Sequence, residues 1–104
     1  MFWVVSYDIA DDKRRHKVST ILSGYGRRAQ YSVFECDIDD AKRQTLETRL
    51  SDVIDEQEDD IRFYPLNEAD MKRVRFLGRA VLRRKVGHIF LNDKIDRDDS
   101  DDPF

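Results

Sequence analysis

Asp8 is the residue best placed to do chemistry in this sequence. It closes the run from Met1 to Ile9, which is apolar and β-branched enough to read as a buried strand. A carboxylate at the end of such a strand binds a metal, caps the next helix or pairs with an arginine. One carboxylate makes a poor metal site. Two brought together in a dimer, with water, suit Mg²⁺ or Mn²⁺, because hard cations prefer oxygen ligands. Such a cation activates water and stabilises charge on a phosphate. Asp8 is therefore a candidate catalytic and metal-binding residue for chemistry on a phosphate, with the helix cap and the arginine pair as its structural alternatives.

Basic side chains follow directly. Lys13, Arg14, Arg15, His16 and Lys17 open a helical segment, where the macrodipole disfavours cations and only Asp11 and Asp12 offset them. Local helix physics does not call for this cluster; a phosphate backbone gives it a reason, and a solvated surface is the alternative. Arg27, Arg28, Tyr31 and Phe34 then interleave cations with aromatic rings, which suits phosphate contact plus base stacking or, equally, a strand with an aromatic core face. A third basic block runs from Lys72 to Lys85. The net charge of -3 hides this segregation, since residues 13–28 and 72–85 hold 13 of the 19 Lys and Arg and no acid. Local potential rather than net charge decides whether a polyanion docks. His16 and His88 have no ligand spacing, Cys36 is the only cysteine, and no Walker loop, GxGxxG or Ser-His-Asp order occurs. Cys36 reads as a buried strand residue.

The elements that must position these residues follow from pattern. Strand alternation sends Trp3, Val5, Tyr7 and Ile9 to one face and Phe2, Val4, Ser6 and Asp8 to the other. Both faces need cover. A helix near 12–24 carries Val18, Ile21, Leu22 and Tyr25, capped by Asp11 or Asp12 and ended by Gly24-Tyr25-Gly26. Residues 28–36 read as a strand that continues or kinks into another. A second helix near 40–57 carries Leu46, Leu50, Val53 and Ile54. Asp60 to Leu66 is a strand with Pro65 at an edge. Val74 to Gly78 and Val86 to Leu91 are further short strands, and 92–104, with six Asp, is an acidic disordered tail after a single domain spanning 1–91. The order predicts an α+β, ferredoxin-like βαββαβ sandwich with an extra C-terminal strand. Its bare sheet face carries Phe2 and Val4, and a homodimer packed sheet on sheet would cover it and face two Asp8 carboxylates across the axis.

At 104 residues the chain is one modest domain, and its 39% charged content exceeds the roughly 25% of an average domain. No apolar run is long enough to span a membrane, and no signal-peptide pattern opens the chain, so a cytoplasmic protein with no membrane partner is expected.

With these residues in view, the chain resembles CRISPR-associated protein two, the small dimeric subunit of spacer acquisition. The matching pieces are Tyr7-Asp8-Ile9 after an apolar strand, the Asp11–Arg15 helix opening, Gly24-Tyr25-Gly26, Gln30 to Cys36, Ile61 to Leu66 and Arg75 to Gly78. Together they cover roughly residues 1–80. The resemblance implies a ferredoxin-like homodimer and a Mg²⁺-dependent endonuclease with Asp8 on the metal, acting on single-stranded RNA or duplex DNA. It implies that Tyr7, Arg15, Lys17, Arg28 and Phe34 stand at site or nucleic-acid-binding positions. Lys17 stands where an Arg is common, and an ammonium cannot offer the bidentate fork of a guanidinium. The resemblance also implies a bridge between two dimers of the CRISPR integrase, CRISPR-associated protein one, with double-stranded DNA on the basic flanks. The nucleic-acid-binding set is thus Tyr7, Lys13, Arg14, Arg15, Lys17, Arg27, Arg28 and Phe34. A non-catalytic DNA-binding adaptor and a toxin-like RNA-cleaving dimer are the competing functions.

Overall fold

The structure is a computed structural model that describes residues 1–78 in full and the strand backbone at 83–86 and 89–92. The chain divides into two compact units, Met1–Asn67 and Glu68–Phe104.

In the first unit, β1 (Phe2–Asp8), α1 (Asp12–Ser23), β2 (Arg27–Gln30), β3 (Val33–Asp37), α2 (Asp40–Ser51) and β4 (Asp60–Leu66) follow one another. The sheet order is β2-β3-β1-β4 with every neighbouring pair antiparallel. This βαββαβ order with β1 and β3 central is the ferredoxin-like arrangement. The alternation read from β1 sets its inner face: Val5, Tyr7 and Ile9 are buried with Val18 and Leu22 of α1, Leu46 and Leu50 of α2, and Phe34, Cys36 and Ile38 on and after β3. Trp3 is half-buried and meets Phe63 of β4 edge to face, with centroids 6.1 Å apart. Pro65 lies on β4, which is an edge strand, where its missing N–H costs no ladder bond.

The outer face is less apolar than the pattern of β1 alone suggests. Phe2 is only 1% exposed. The cross-strand neighbours of Val4 are Glu35 and Tyr64, and those of Ser6 are Val33 and Arg62. The alternation of one strand cannot reveal what its neighbours contribute to the same face.

Two boundaries differ from the sequence pattern. The strand over 28–36 breaks at Tyr31 and Ser32 into a hairpin with a register shift between Arg28 and Gln30. The second helix ends at Ser51 rather than near 57. Continuing it would put Asp55, Glu56, Glu58 and Asp59 at the negative end of the helix dipole. Gly24 ends α1 as expected, capping it through its N–H with a right-handed φ of -82°. The demanding glycine is Gly26, where a Cβ would sit 2.2 Å from the Glu35 carbonyl oxygen and 2.6 Å from Cys36 Sγ.

In the second unit, α3 (Glu68–Met71) is a short helix with no signal in the sequence pattern, and Val74 to Gly78 forms no strand. Gly78 has a positive φ of 86°, which punctuates that segment. The expected strand over 86–91 is instead an antiparallel pair, β5 (Arg83–Val86) and β6 (Ile89–Asn92). Asn92, expected in the tail, ends β6; residues 93–104 lie outside the described residues.

Candidate functional site

Three aspartates follow one another around the end of β1, and the fold uses them differently. Asp11 is the N-cap of α1, accepting from the Arg14 backbone N–H at 2.9 Å. Asp12, in the first turn, accepts from the Arg15 guanidinium. Asp8 is exposed, and among the described residues its carboxylate has no hydrogen-bond or ion-pair partner. It neither caps the helix nor meets an arginine, so both structural uses open to it in the sequence are taken elsewhere. Its directly opposed residue on β4 is Asp60, whose carboxylate accepts from Arg62 Nε at 2.8 Å. Directly opposed like charges in an antiparallel pair are unfavourable. Nothing in the sequence marks Asp60 as a second carboxylate near Asp8, because register between distant strands is not written in either strand alone.

Arg15 fixes the connection after Asp8. Its Nη1 donates to the carbonyls of Ile9 at 3.0 Å and Ala10 at 3.2 Å, while Nη2 takes Asp12. The Asp12 hydrogen bond is the main cause of its raised pKa, against an opposing effect of burial, with smaller contributions from the neighbouring Tyr31 hydroxyl. Arg14 points elsewhere. Its Nε and Nη2 grip both carboxylate oxygens of Asp59 at 2.7 and 3.2 Å, and Nη2 reaches Glu58 at 3.4 Å. The Asp59 side chain is 0% exposed and also accepts from the Asp55 backbone N–H at 2.9 Å. The Arg14 hydrogen bond holds the Asp59 carboxyl below the usual carboxylate range, burial opposing. Arg14, expected on the phosphate surface, is committed to tying α1 to the segment before β4.

A cleft of about 250 Å³ opens between α1 and the β2–β3 turn, lined by Tyr7, Asp12, Arg15, His16, Ser19, Arg28 and Tyr31. It brings together Tyr7, Arg15 and Arg28 of the expected set. Tyr7 is buried, with its hydroxyl donating to the Tyr31 carbonyl at 3.4 Å. Arg28 lies 4.9 Å over the Phe34 ring and donates to the Tyr31 carbonyl and to Ser19 Oγ. Phe34, itself 1% exposed, cannot offer its ring to a base; stacked on Tyr7 and under Arg28, it supports the guanidinium from the core. Lys13 and Lys17 are exposed one turn apart on α1. Arg27 is exposed on β2 opposite Glu35, whose carboxyl burial pushes up and Arg27 pulls down. His16 and Ser19 lie outside the expected site set. A signal for them exists: Asp12, Arg15, His16 and Ser19 recur at helical spacing on one face of α1.

Cys36 is fully buried, and burial pushes its thiol up to about 11, which makes it an inert core residue. Among the described residues no three His, Cys, Asp or Glu converge to hold a metal, and no helix is long and apolar enough to cross a membrane.

The model of the family described as CRISPR associated protein Cas2 matches residues 1–74. The chain belongs to the Cas2 family. A Synechocystis sp. relative named CRISPR-associated endoribonuclease Cas2 3 is 40% identical over 89 residues, covering 86% of this chain and 97% of the relative. The crystal structure of Streptococcus pyogenes Cas2 at pH 6.5 superposes with a TM-score of 0.67 at 38% identity, over 75% of this chain and all of that one. A chain of a structure described as a partial Cas6-RT-Cas1–Cas2 complex gives a TM-score of 0.66 at 32% identity, over 73% of this chain and 89% of that one.

Proposed function

We propose that this Cas2-family chain is a homodimeric, metal-dependent endonuclease of CRISPR spacer acquisition, a partner of the Cas1 integrase and a binder of nucleic acid through α1 and β2. The observation that carries the reading is Asp8: the one aspartate around the β1 end that the fold leaves without a partner among the described residues. The endoribonuclease name of the Synechocystis relative and the Cas1–Cas2 complex support the activity and the partnership.

The donor set fits a hard cation that keeps most of its water. Mg²⁺ and Mn²⁺ are held by one or two carboxylates, water and substrate phosphate rather than by closed protein cages. Asp8 supplies one such carboxylate per copy, and Asp60 stands opposite it on β4. A bound cation would stabilise charge developing on a phosphate oxygen. The chain's own residues do the rest. Arg15 holds the connection from Asp8 into α1, while Lys13, Lys17, Arg27 and Arg28 hold the strand. A homodimer is supported by the long edge strand β4 and by the partly exposed Val4, Val33, Tyr64 and Leu66 of the outer face.

The test is cleavage of single-stranded RNA, single-stranded DNA and duplex DNA with Mg²⁺, Mn²⁺ or chelator. Metal-dependent cleavage should fall to background in Asp8→Asn with the fold intact. Cleavage that survives in Asp8→Asn removes the catalytic reading. No cleavage by the parent leaves the second reading, a DNA-holding adaptor for the integrase, which the lack of three converging metal-ligating residues among those described favours.

A further inference from the structure

Tyr31 stands at the β2–β3 turn and is 73% exposed. Single exposed aromatics are common and need no explanation when the backbone beneath them is loose. Here the backbone is tied from two strands. The Tyr31 carbonyl accepts from the Tyr7 hydroxyl at 3.4 Å and from the Arg28 guanidinium, and the next carbonyl, of Ser32, accepts from the Tyr7 backbone N–H at 3.1 Å. None of these bonds uses the Tyr31 side chain. The ring is therefore presented from a fixed point outside the core, with its hydroxyl beside the Arg15 guanidinium. Two guanidinium groups, Arg15 and Arg28, line the same cleft, and its one acid, Asp12, is engaged by Arg15. At about 250 Å³ the cleft is on the scale of a single nucleotide.

We propose that Tyr31 is a stacking platform for an unpaired nucleobase, with Arg15 and Arg28 beside it for the adjoining phosphate, so that this cleft selects single-stranded over duplex nucleic acid. The inference rests on the nucleic-acid reading above and adds the side chain that meets the base. A ring stacks on the open face of a base, and in a duplex that face is covered by the neighbouring pair. Stacking is indifferent to the sugar, so the shared chemistry covers single-stranded RNA and DNA alike.

The experiment is fluorescence anisotropy of the full chain with one short labelled sequence as single-stranded RNA, single-stranded DNA and duplex DNA. Tyr31→Ala keeps the backbone carbonyl and removes an exposed ring, so its melting temperature should match the parent. It should weaken single-strand binding roughly tenfold to a hundredfold and leave duplex binding unchanged. Tyr31→Phe should bind like the parent, because the ring remains. A loss confined to RNA or to DNA supports the platform and names the strand it serves. Equal loss on single strand and duplex, no loss on either, or a loss in Tyr31→Phe as large as in Tyr31→Ala overturns it. If the parent binds none of the three probes, the nucleic-acid reading falls and this inference with it. If the parent binds and Tyr31→Ala binds as well, only the stacking platform falls.

Discussion

Two charged regions lie a few residues apart in sequence, and they differ in what their charges are for. At the start of α1, Asp11, Asp12, Arg14 and Arg15 all have partners: a helix cap, a carbonyl clamp and a two-point grip on the buried carboxylate of Asp59. At the end of β1, and on the face of α1 that carries Lys13 and Lys17, the charges have none among the described residues. The first group builds the platform, Arg15 alone among them also lining the cleft beside Tyr31, and the second is left without protein partners and open to a cation or a phosphate. The sequence alone makes Asp8, Arg14 and Lys17 look like one cluster. For Asp8 and Arg14, partnership rather than charge or position separates site from scaffold.

The comparison breaks most visibly at Arg14. Arg14→Ala leaves Asp59 buried without its guanidinium, so it should lower the melting temperature more than any neighbouring charge substitution. Nucleic-acid affinity per folded molecule should stay near that of the parent. A stable Arg14→Ala with weakened binding would place Arg14 in the second group instead. The same pair sharpens the comparison through pH. Asp59 has a folded pKa below its unfolded value of about 3.9, so its stabilising contribution is present above that value and is lost as pH falls through the folded pKa. Asp59→Asn should therefore melt lower than the parent at neutral pH, with the gap closing below about pH 4. A gap that persists in acid would mean the loss is one of packing. The smallest effect belongs to the free lysines. Lys13→Ala with Lys17→Ala should leave melting unchanged and reduce the slope of log binding constant against log salt, by about 0.7 for each single-strand phosphate no longer neutralised. An unchanged slope would exclude both from the phosphate surface.

Much of this is legible in the sequence because it rests on local pattern. The alternation of Val5, Tyr7 and Ile9 and the helical spacing of Val18 and Leu22 identify the buried faces directly, and Asp11 caps its helix as its position suggests. What is not legible depends on contacts between distant residues. Asp60 comes to lie opposite Asp8 only through β1–β4 register, and Arg14 finds Asp59 across 45 residues of chain. Phe34 looks like a stacking aromatic until Tyr7 and Arg28 cover it, whereas Tyr31, three residues earlier, is the ring left outside. Gly26 shows the same limit: its need for hydrogen in place of a side chain comes from β3 pressing on it, not from the turn it follows.

The most direct test of the central claim is Mn²⁺ binding by titration calorimetry to the parent, Asp8→Asn and Asp12→Asn, at matched fold by circular dichroism. The free carboxylate should be the one that matters: Asp8→Asn loses the binding isotherm, and Asp12→Asn, already committed to Arg15, keeps it. Binding that survives in Asp8→Asn, or that is lost in Asp12→Asn instead, would contradict the separation of scaffold from site.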